Sequence, residues 1–205
     1  AYQDPCRHMK GRWLNVGSSS VLVSGFEALD KRSFVGVRRC DIRVGLPYPG
    51  ASVEIICSSH TLEHLHPHTE LPGVLKEFHR VLVPGGLVRV AVPDLAVLLR
   101  CYADQDFSRI AKMQAGLKAS VGVAFSDLPL ALQFSAICFG NNGGGSVYDG
   151  HYACWDEDAL RWVFEQAGFV DVRVVGSTES RHPELLTKWK DIEAAEQIVV
   201  ETTRP

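Results

Sequence analysis

The sequence predicts an α/β fold built on a doubly wound, mostly parallel sheet, and three observations predict it. From Trp13 onward, short apolar runs alternate with helix-spaced segments, the signature of crossover units. "LVRVAVPDL" is rich in Val and Leu between its breaks, as in a strand buried on both faces. Successive runs end in Gly, Asp or Ser, the residue types found where such a sheet opens its ligand crevice. At 205 residues the chain suits one domain, 1–205, with a helical insert after the fifth strand over about 100–150.

Taken in order, "RWLNV" is the first strand and runs into the turn "GSSS". "GFEALD" is the second, "SFVGVRRCDI" the third and "SVEIICSS" the strongly apolar fourth. In "ELPGVLKEFHRVL" the apolar residues Leu71, Val74, Leu75, Phe78, Val81 and Leu82 recur at helical spacing, and Pro84-Gly85-Gly86 is expected to end that helix. "LVRVAVPDL" makes the fifth strand. From Ala96 to about Gly140 the pattern turns helical, and the glycine-rich loop "NNGGGSVYDG" follows. Asp156 or Asp158 can cap the helix through "ALRWVFEQA", which Gly168 ends. "FVDVRVVGS" is a strand, and "QIVVETTRP" reads as a closing edge strand.

A net charge of −3 and a pI near 6.3 leave no basic footprint, so nucleic acid is not an expected partner. No apolar run is long enough to span a bilayer, and the amino terminus lacks the apolar core of a signal peptide. The six cysteines are dispersed without a C-x-x-C pair and read as reduced core thiols of a cytoplasmic protein.

In a doubly wound sheet, ligands bind beyond the carboxyl ends of the strands. Those ends carry Gly17 with Ser18, Ser19 and Ser20, then Asp30, Asp41, Ser58-Ser59-His60 and Pro93-Asp94. A glycine after the first strand admits a ligand close to the backbone, and an acid after the second can accept both hydroxyls of a ribose. A full G-x-G-x-x-G for a pyrophosphate is absent, so a nucleoside without phosphates fits better.

The segments "LNVG", "DIRVGLPYPGASVEIICSSHTLEHL", "VLKEFHRVLVPGGLVRVAVPDL" and "LRWVFEQAGFVDV" resemble the class I S-adenosylmethionine-dependent methyltransferases, and more narrowly the Methyltransferase-11 type. The likeness runs from about Leu14 to Val174, with a gap over the insert. It implies a Rossmann-like, seven-stranded-type sheet with S-adenosyl-L-methionine as cofactor and a small-molecule acceptor. Gly17 and Ser18 would lie against the methionine part, Asp30 would hold the ribose, and Asp41 with the Ile42 backbone would face the adenine. Ser58, Ser59 and His60 would line the crevice near the sulfonium. Three departures stand out: Ser19 replaces the usual second glycine, Glu54 replaces an Asp, and the spacing from Gly17 to Asp30 is short enough for the first crossover helix to be brief or missing. Ser19 would either crowd the cofactor or add a hydroxyl contact.

"CSSHTLEHLHPH" raises a rival reading, because His60-x-x-Glu63-His64 fits a zinc-peptidase pattern. That chemistry needs both histidines on one face of a regular helix, and Pro67 leaves the segment under two turns. No metal ligand is expected here. His60 and His64 are instead the candidate general bases, since imidazole titrates near neutrality. His66 and His68 read as exposed loop residues, while His151 and Tyr152 can approach the acceptor. Tyr102, Phe107, Phe125, Phe134 and Phe139 of the insert would line a pocket or lid, form the insert's own core, or make a dimer surface. Three functions follow: a small-molecule methyltransferase; a non-catalytic binding module with a weakened cofactor site; a zinc hydrolase.

Overall fold

The structure is a computed structural model that describes residues 11–106, 108, 127–139, 150–176, 178–189 and 197–205. Seven strands form one sheet: β1 (Arg12–Val16), β2 (Glu27–Asp30), β3 (Arg38–Arg39), β4 (Val53–Ser59), β5 (Leu82–Pro93), β6 (Val170–Val174) and β7 (Gln197–Thr203). Their order is β3-β2-β1-β4-β5-β7-β6, and β7 alone runs antiparallel to its neighbours. The helices are α1 (Leu71–Val81), α2 (Leu95–Ala103), α3 (Leu130–Cys138), α4 (Glu157–Gln166) and α5 (Pro183–Lys188). None is long and apolar enough to cross a membrane. The doubly wound, mostly parallel sheet that the sequence predicts is therefore the observed one.

Alternation along the strands fills two cores. Leu14, Val16, Ile56, Val88 and Val90 pack with Val74, Leu75 and Phe78 of α1 and with Leu160 and Phe164 of α4. α1 places its apolar residues three and four apart, with Pro72 in its first turn, where a missing backbone donor is harmless. Asp156 caps α4 by accepting the Ala159 N–H at 2.8 Å, and Gly168, at φ 89°, reverses the chain after it.

Trp13, Ile55, Cys57 and Leu87 face the other way and pack against Leu185 and Trp189, with Val23 and Phe26 at the margin. The ten residues from Gly17 to Phe26 contain no helix, so the short first crossover lacks one, as its length suggests. Its usual cover comes instead from α5 and an aromatic cluster. Trp13 meets Phe26 edge-on with ring centroids 5.4 Å apart, and Phe26 lies 5.4 Å from Trp189.

Four expectations need correction. β3 is only Arg38–Arg39, since both residues are exposed and no apolar face anchors a longer strand. Asp41 therefore stands in a loop beyond it. α1 ends at Val81, where Leu82 turns extended at ψ 146°, and Pro84-Gly85-Gly86 lies inside β5 instead of ending the helix. β7 is an interior strand, paired with β5 on one side and β6 on the other. Its Glu201 and Thr202 are both fully buried. Arg89 on β5 satisfies Glu201 at 2.8 Å.

In the helical region after β5, Leu98 of α2 packs with Ile137 and Cys138 of α3, and Tyr102 lies 5.3 Å from Phe134. Phe134 thus packs against this α2–α3 cluster, whereas Tyr102 and Phe139 are both exposed. Phe107, Phe125 and the loop 140–149 lie outside the described residues.

Candidate active site

The strand order reverses direction between β1 and β4, and the residues read as a site cluster at that point. Val16 pairs with Ser58 and Ser59 with Ala91, which brings the carboxyl ends of β1, β4 and β5 to one level. Asp30 ends β2 alongside. In this topology the crevice outside such a switch point is the ligand position.

Gly17 turns the chain out of β1 at φ 71°, a conformation glycine adopts without strain. Gly17 and Ser18 both donate their backbone N–H to Leu29 O at 2.9 Å, fastening the turn to β2. The reason for glycine is partly internal, because a Cβ at Gly17 would stand 2.0 Å from Thr61 Oγ1. Thr61 follows β4 and donates its hydroxyl to Ser59 O at 3.2 Å and Val16 O at 3.4 Å. Thr61 carries no signal in the sequence. Only the pairing of β1 with β4 makes it a neighbour of Gly17.

Asp30 is nearly buried. One oxygen accepts the Ser19 N–H and the other the Arg32 N–H, both at 2.8 Å. Ser19 itself lies at φ 50°. Asp41 is engaged by Arg43, whose Nε and Nη2 donate to its two oxygens at 2.9 and 2.6 Å. Those hydrogen bonds hold the Asp41 carboxyl below its ordinary range. Arg43 reaches on to Glu70 at 3.2 Å. Ile42 beside it is buried in the main core. Ser58 is buried too, with a hydroxyl that makes no hydrogen bond among the described residues, while Ser59 is half-buried.

His60 also takes a positive φ, 50°. Its Nδ1 stands 3.2 Å from Glu63 Oε1 and its Nε2 3.3 Å from Gln197 Oε1. The first contact lies off a hydrogen-bonding direction, so neither Glu63 oxygen accepts a hydrogen bond among the described residues although Glu63 is fully buried. The segment Leu62–His64 is a single 3-10 turn, not the regular helix that H-x-x-E-H chemistry requires. Sequence spacing pairs His64 with His60. The fold instead brings His64 to His151, with ring centroids 4.7 Å apart. Glu63, His64 and His151 place one ligand-type atom each within 4.8 Å of the others. Burial lowers the His151 pKa, favouring neutral imidazole. His66 is half-buried and His68 exposed.

The sequence model of a family described as a methyltransferase domain, Methyltransf_23, matches residues 4–174. The chain belongs to this methyltransferase family. The class I expectation stands, and the matching family bears a different number from the Methyltransferase-11 type. No curated protein matches the sequence. Solved structures similar to the chain include the PH0226 protein from Pyrococcus horikoshii OT3, at 14% identity and TM-score 0.51, covering 96% of this chain and 83% of that one. The S-adenosylmethionine-dependent methyltransferase SibL in its apo form is similar at 16% identity and TM-score 0.52, covering 95% of this chain and 50% of that one. PigF with SAH matches at 14% identity and TM-score 0.51, covering 95% and 56%. The chain thus spans about half the length of SibL and PigF. At such identities these likenesses establish the fold alone.

Proposed function

We propose that the chain transfers a methyl group from S-adenosylmethionine to a small-molecule acceptor in the crevice between β1 and β4. The observation that carries this reading is Asp30, a carboxylate at the end of β2 beside the switch point. Each of its oxygens accepts one backbone N–H and keeps a lone pair, which fits a nucleoside's two ribose hydroxyls. The buried Ser58 hydroxyl, without a partner among the described residues, is a second polar group that a ligand could satisfy. Asp41 would act by holding its loop through Arg43, leaving the adenine edge to backbone groups near Ile42.

When bound, S-adenosylmethionine supplies an electrophilic methyl group on a sulfonium whose thioether leaves without protonation. The chain's contribution is then mostly alignment of the acceptor with that methyl. Gly17, Ser18 and Ser19 form the turn against which the cofactor rests, and the Asp30 clasp fixes it. His60 is the proposed proton acceptor for a hydroxyl acceptor, oriented by Glu63 beside its Nδ1. His64 is the second candidate.

One observation favours a second reading, a binding module with a weakened cofactor site. Thr61 fills the space over Gly17, where the methionine part would approach. Turnover separates the two. Methyl-labelled S-adenosylmethionine is incubated with a panel of hydroxyl, amine and carboxylate compounds, and label in a product supports transfer. His60→Ala is expected to lower that turnover by ~10²–10⁴-fold with cofactor binding retained. An unchanged rate removes His60 from the mechanism, and no product from any class favours the binding module.

A further inference from the structure

Beside the cofactor crevice, two histidines and a carboxylate converge from segments distant in sequence. Glu63 and His64 come from the 3-10 turn after β4, and His151 from the segment that re-enters the fold before α4. Their ligand atoms lie within 4.8 Å of one another. A tetrahedral ion with bonds of about 2.0–2.2 Å holds its ligands roughly 3.4 Å apart. Rotamer movement of about an ångström would close the set.

The second observation is independent of the spacing. The Glu63 carboxylate is fully buried, and neither oxygen accepts a hydrogen bond among the described residues; His60 Nδ1 lies 3.2 Å from Oε1, which leaves Oε2 for a cation. A buried carboxylate without such partners is costly unless a cation meets it. His64 is oriented as ligands usually are. Its Nδ1 faces Gly150 O at 3.3 Å, which leaves the lone pair on Nε2. Outer-sphere carbonyls of this kind fix the tautomer and orientation of metal-binding imidazoles. The His151 ring is half-buried and meets that of His64 nearly edge-on, with centroids 4.7 Å apart.

We propose that Glu63, His64 and His151 form a binding site for a divalent transition cation of the zinc class, with at least one coordination position open to an oxygen of the methyl acceptor. Two imidazoles and one carboxylate are a donor set for zinc and its first-row neighbours; magnesium and calcium prefer oxygen ligands throughout. Coordination would lower the pKa of an acceptor hydroxyl. Its proton passes to His60, the base proposed above, the oxygen forms a bond to the methyl carbon, and the carbon–sulfur electron pair stays on sulfur as the thioether. The acceptor half of the proposal rests on the methyltransferase reading. The cation half does not.

Zinc content tests the cation half without cofactor or acceptor, so its failure is distinguishable from failure of the methyltransferase reading. The full chain is equilibrated with zinc, dialysed and analysed for metal. One zinc per chain is expected for the wild type and for the control H66A/H68A, which alters the neighbouring histidines. H64A/H151A is expected to lose it, and E63Q to weaken it by more than the ~10–100-fold typical of outer-sphere changes. Because these variants could misfold, the cobalt(II) spectrum of the wild type gives a second reading. Intense visible bands of a four- or five-coordinate site at one equivalent are expected. No zinc on the wild type, zinc retained by H64A/H151A, zinc lost by H66A/H68A, or only the weak spectrum of the aqueous cobalt ion each overturns the proposal.

Discussion

Asp30, at the end of β2, accepts the backbone N–H of Ser19 at 2.8 Å from the turn that leaves β1. The carboxylate thereby ties the two strand ends that border the proposed cofactor crevice. Ser19 is held at φ 50°, in the left-handed region that costs a residue with a Cβ about 1–2 kcal/mol. Glycine would relieve that strain and lose about 0.5–1 kcal/mol through its freer unfolded chain. Ser19→Gly is therefore expected to raise unfolding stability by up to about 1.5 kcal/mol, measured by urea denaturation. A loss of stability would mean that the serine side chain makes contacts worth more than the strain.

Gly17 should be far less tolerant. Alanine there meets both a positive φ and the Thr61 hydroxyl at 2.0 Å. Backbone strain of about 1–2 kcal/mol and overpacking of about 1–3 kcal/mol add to a destabilisation of roughly 2–5 kcal/mol. Repeating Gly17→Ala in a Thr61→Ala background should recover only part of it, because the Thr61 Cβ would still lie 2.9 Å away. Full recovery would show that the backbone conformation is unstrained.

A buried ion pair joins β5 to β7 across the opposite half of the sheet. Arg89 Nη1 donates to Glu201 Oε1 at 2.8 Å and to Glu179 O at 2.8 Å. Ser180 Oγ and the Arg181 N–H complete the Glu201 carboxylate at 2.6 and 2.9 Å. Arg89→Met strands that carboxylate and is expected to cost about 3–5 kcal/mol in thermal or denaturant unfolding. Adding Glu201→Met should restore part of the loss. If the double variant is less stable than the single one, the charge pair is not the source of the penalty.

Cys154 is exposed, and its thiol is lowered to about 7 because the Cys138 thiol can hydrogen-bond to the thiolate. Cys138 is pushed up in turn. Thiolate is the reactive form, so alkylation of Cys154 by iodoacetamide should accelerate as pH rises through about 7 and level off above it. Buried Cys57 and Cys138 should stay unlabelled in the folded chain. Peptide mapping by mass spectrometry reads this directly, and a rise delayed to pH 8.5 or above would contradict it.

The strand ends were readable from sequence because each carries a local mark: an apolar run, then Gly17, Asp30 or Ser58. α1 and α4 were equally readable, from apolar spacing and from the Asp156 cap. The unreadable features depend on what lies across the sheet. The segment of β7 reads as an edge strand until Arg89 is placed opposite Glu201. Thr61 has no motif of its own, and its role against Gly17 follows only from the pairing of β1 with β4. His151 is likewise invisible as a partner of His64, because local pattern pairs His64 with His60. Asp41 stands in the expected region but spends both oxygens on Arg43, a local contact two residues away that the strand-end argument did not weigh.

Calorimetric titration of the full chain with S-adenosylhomocysteine tests the proposed cofactor crevice most directly. One-site binding is predicted for the wild type. Asp30→Asn should weaken it about tenfold or more, since hydrogen bonds to a charged group contribute about 1.5–3 kcal/mol, while the far-ultraviolet circular dichroism stays that of the folded chain. No binding heat at millimolar ligand, or equal affinity in wild type and Asp30→Asn, would contradict the account.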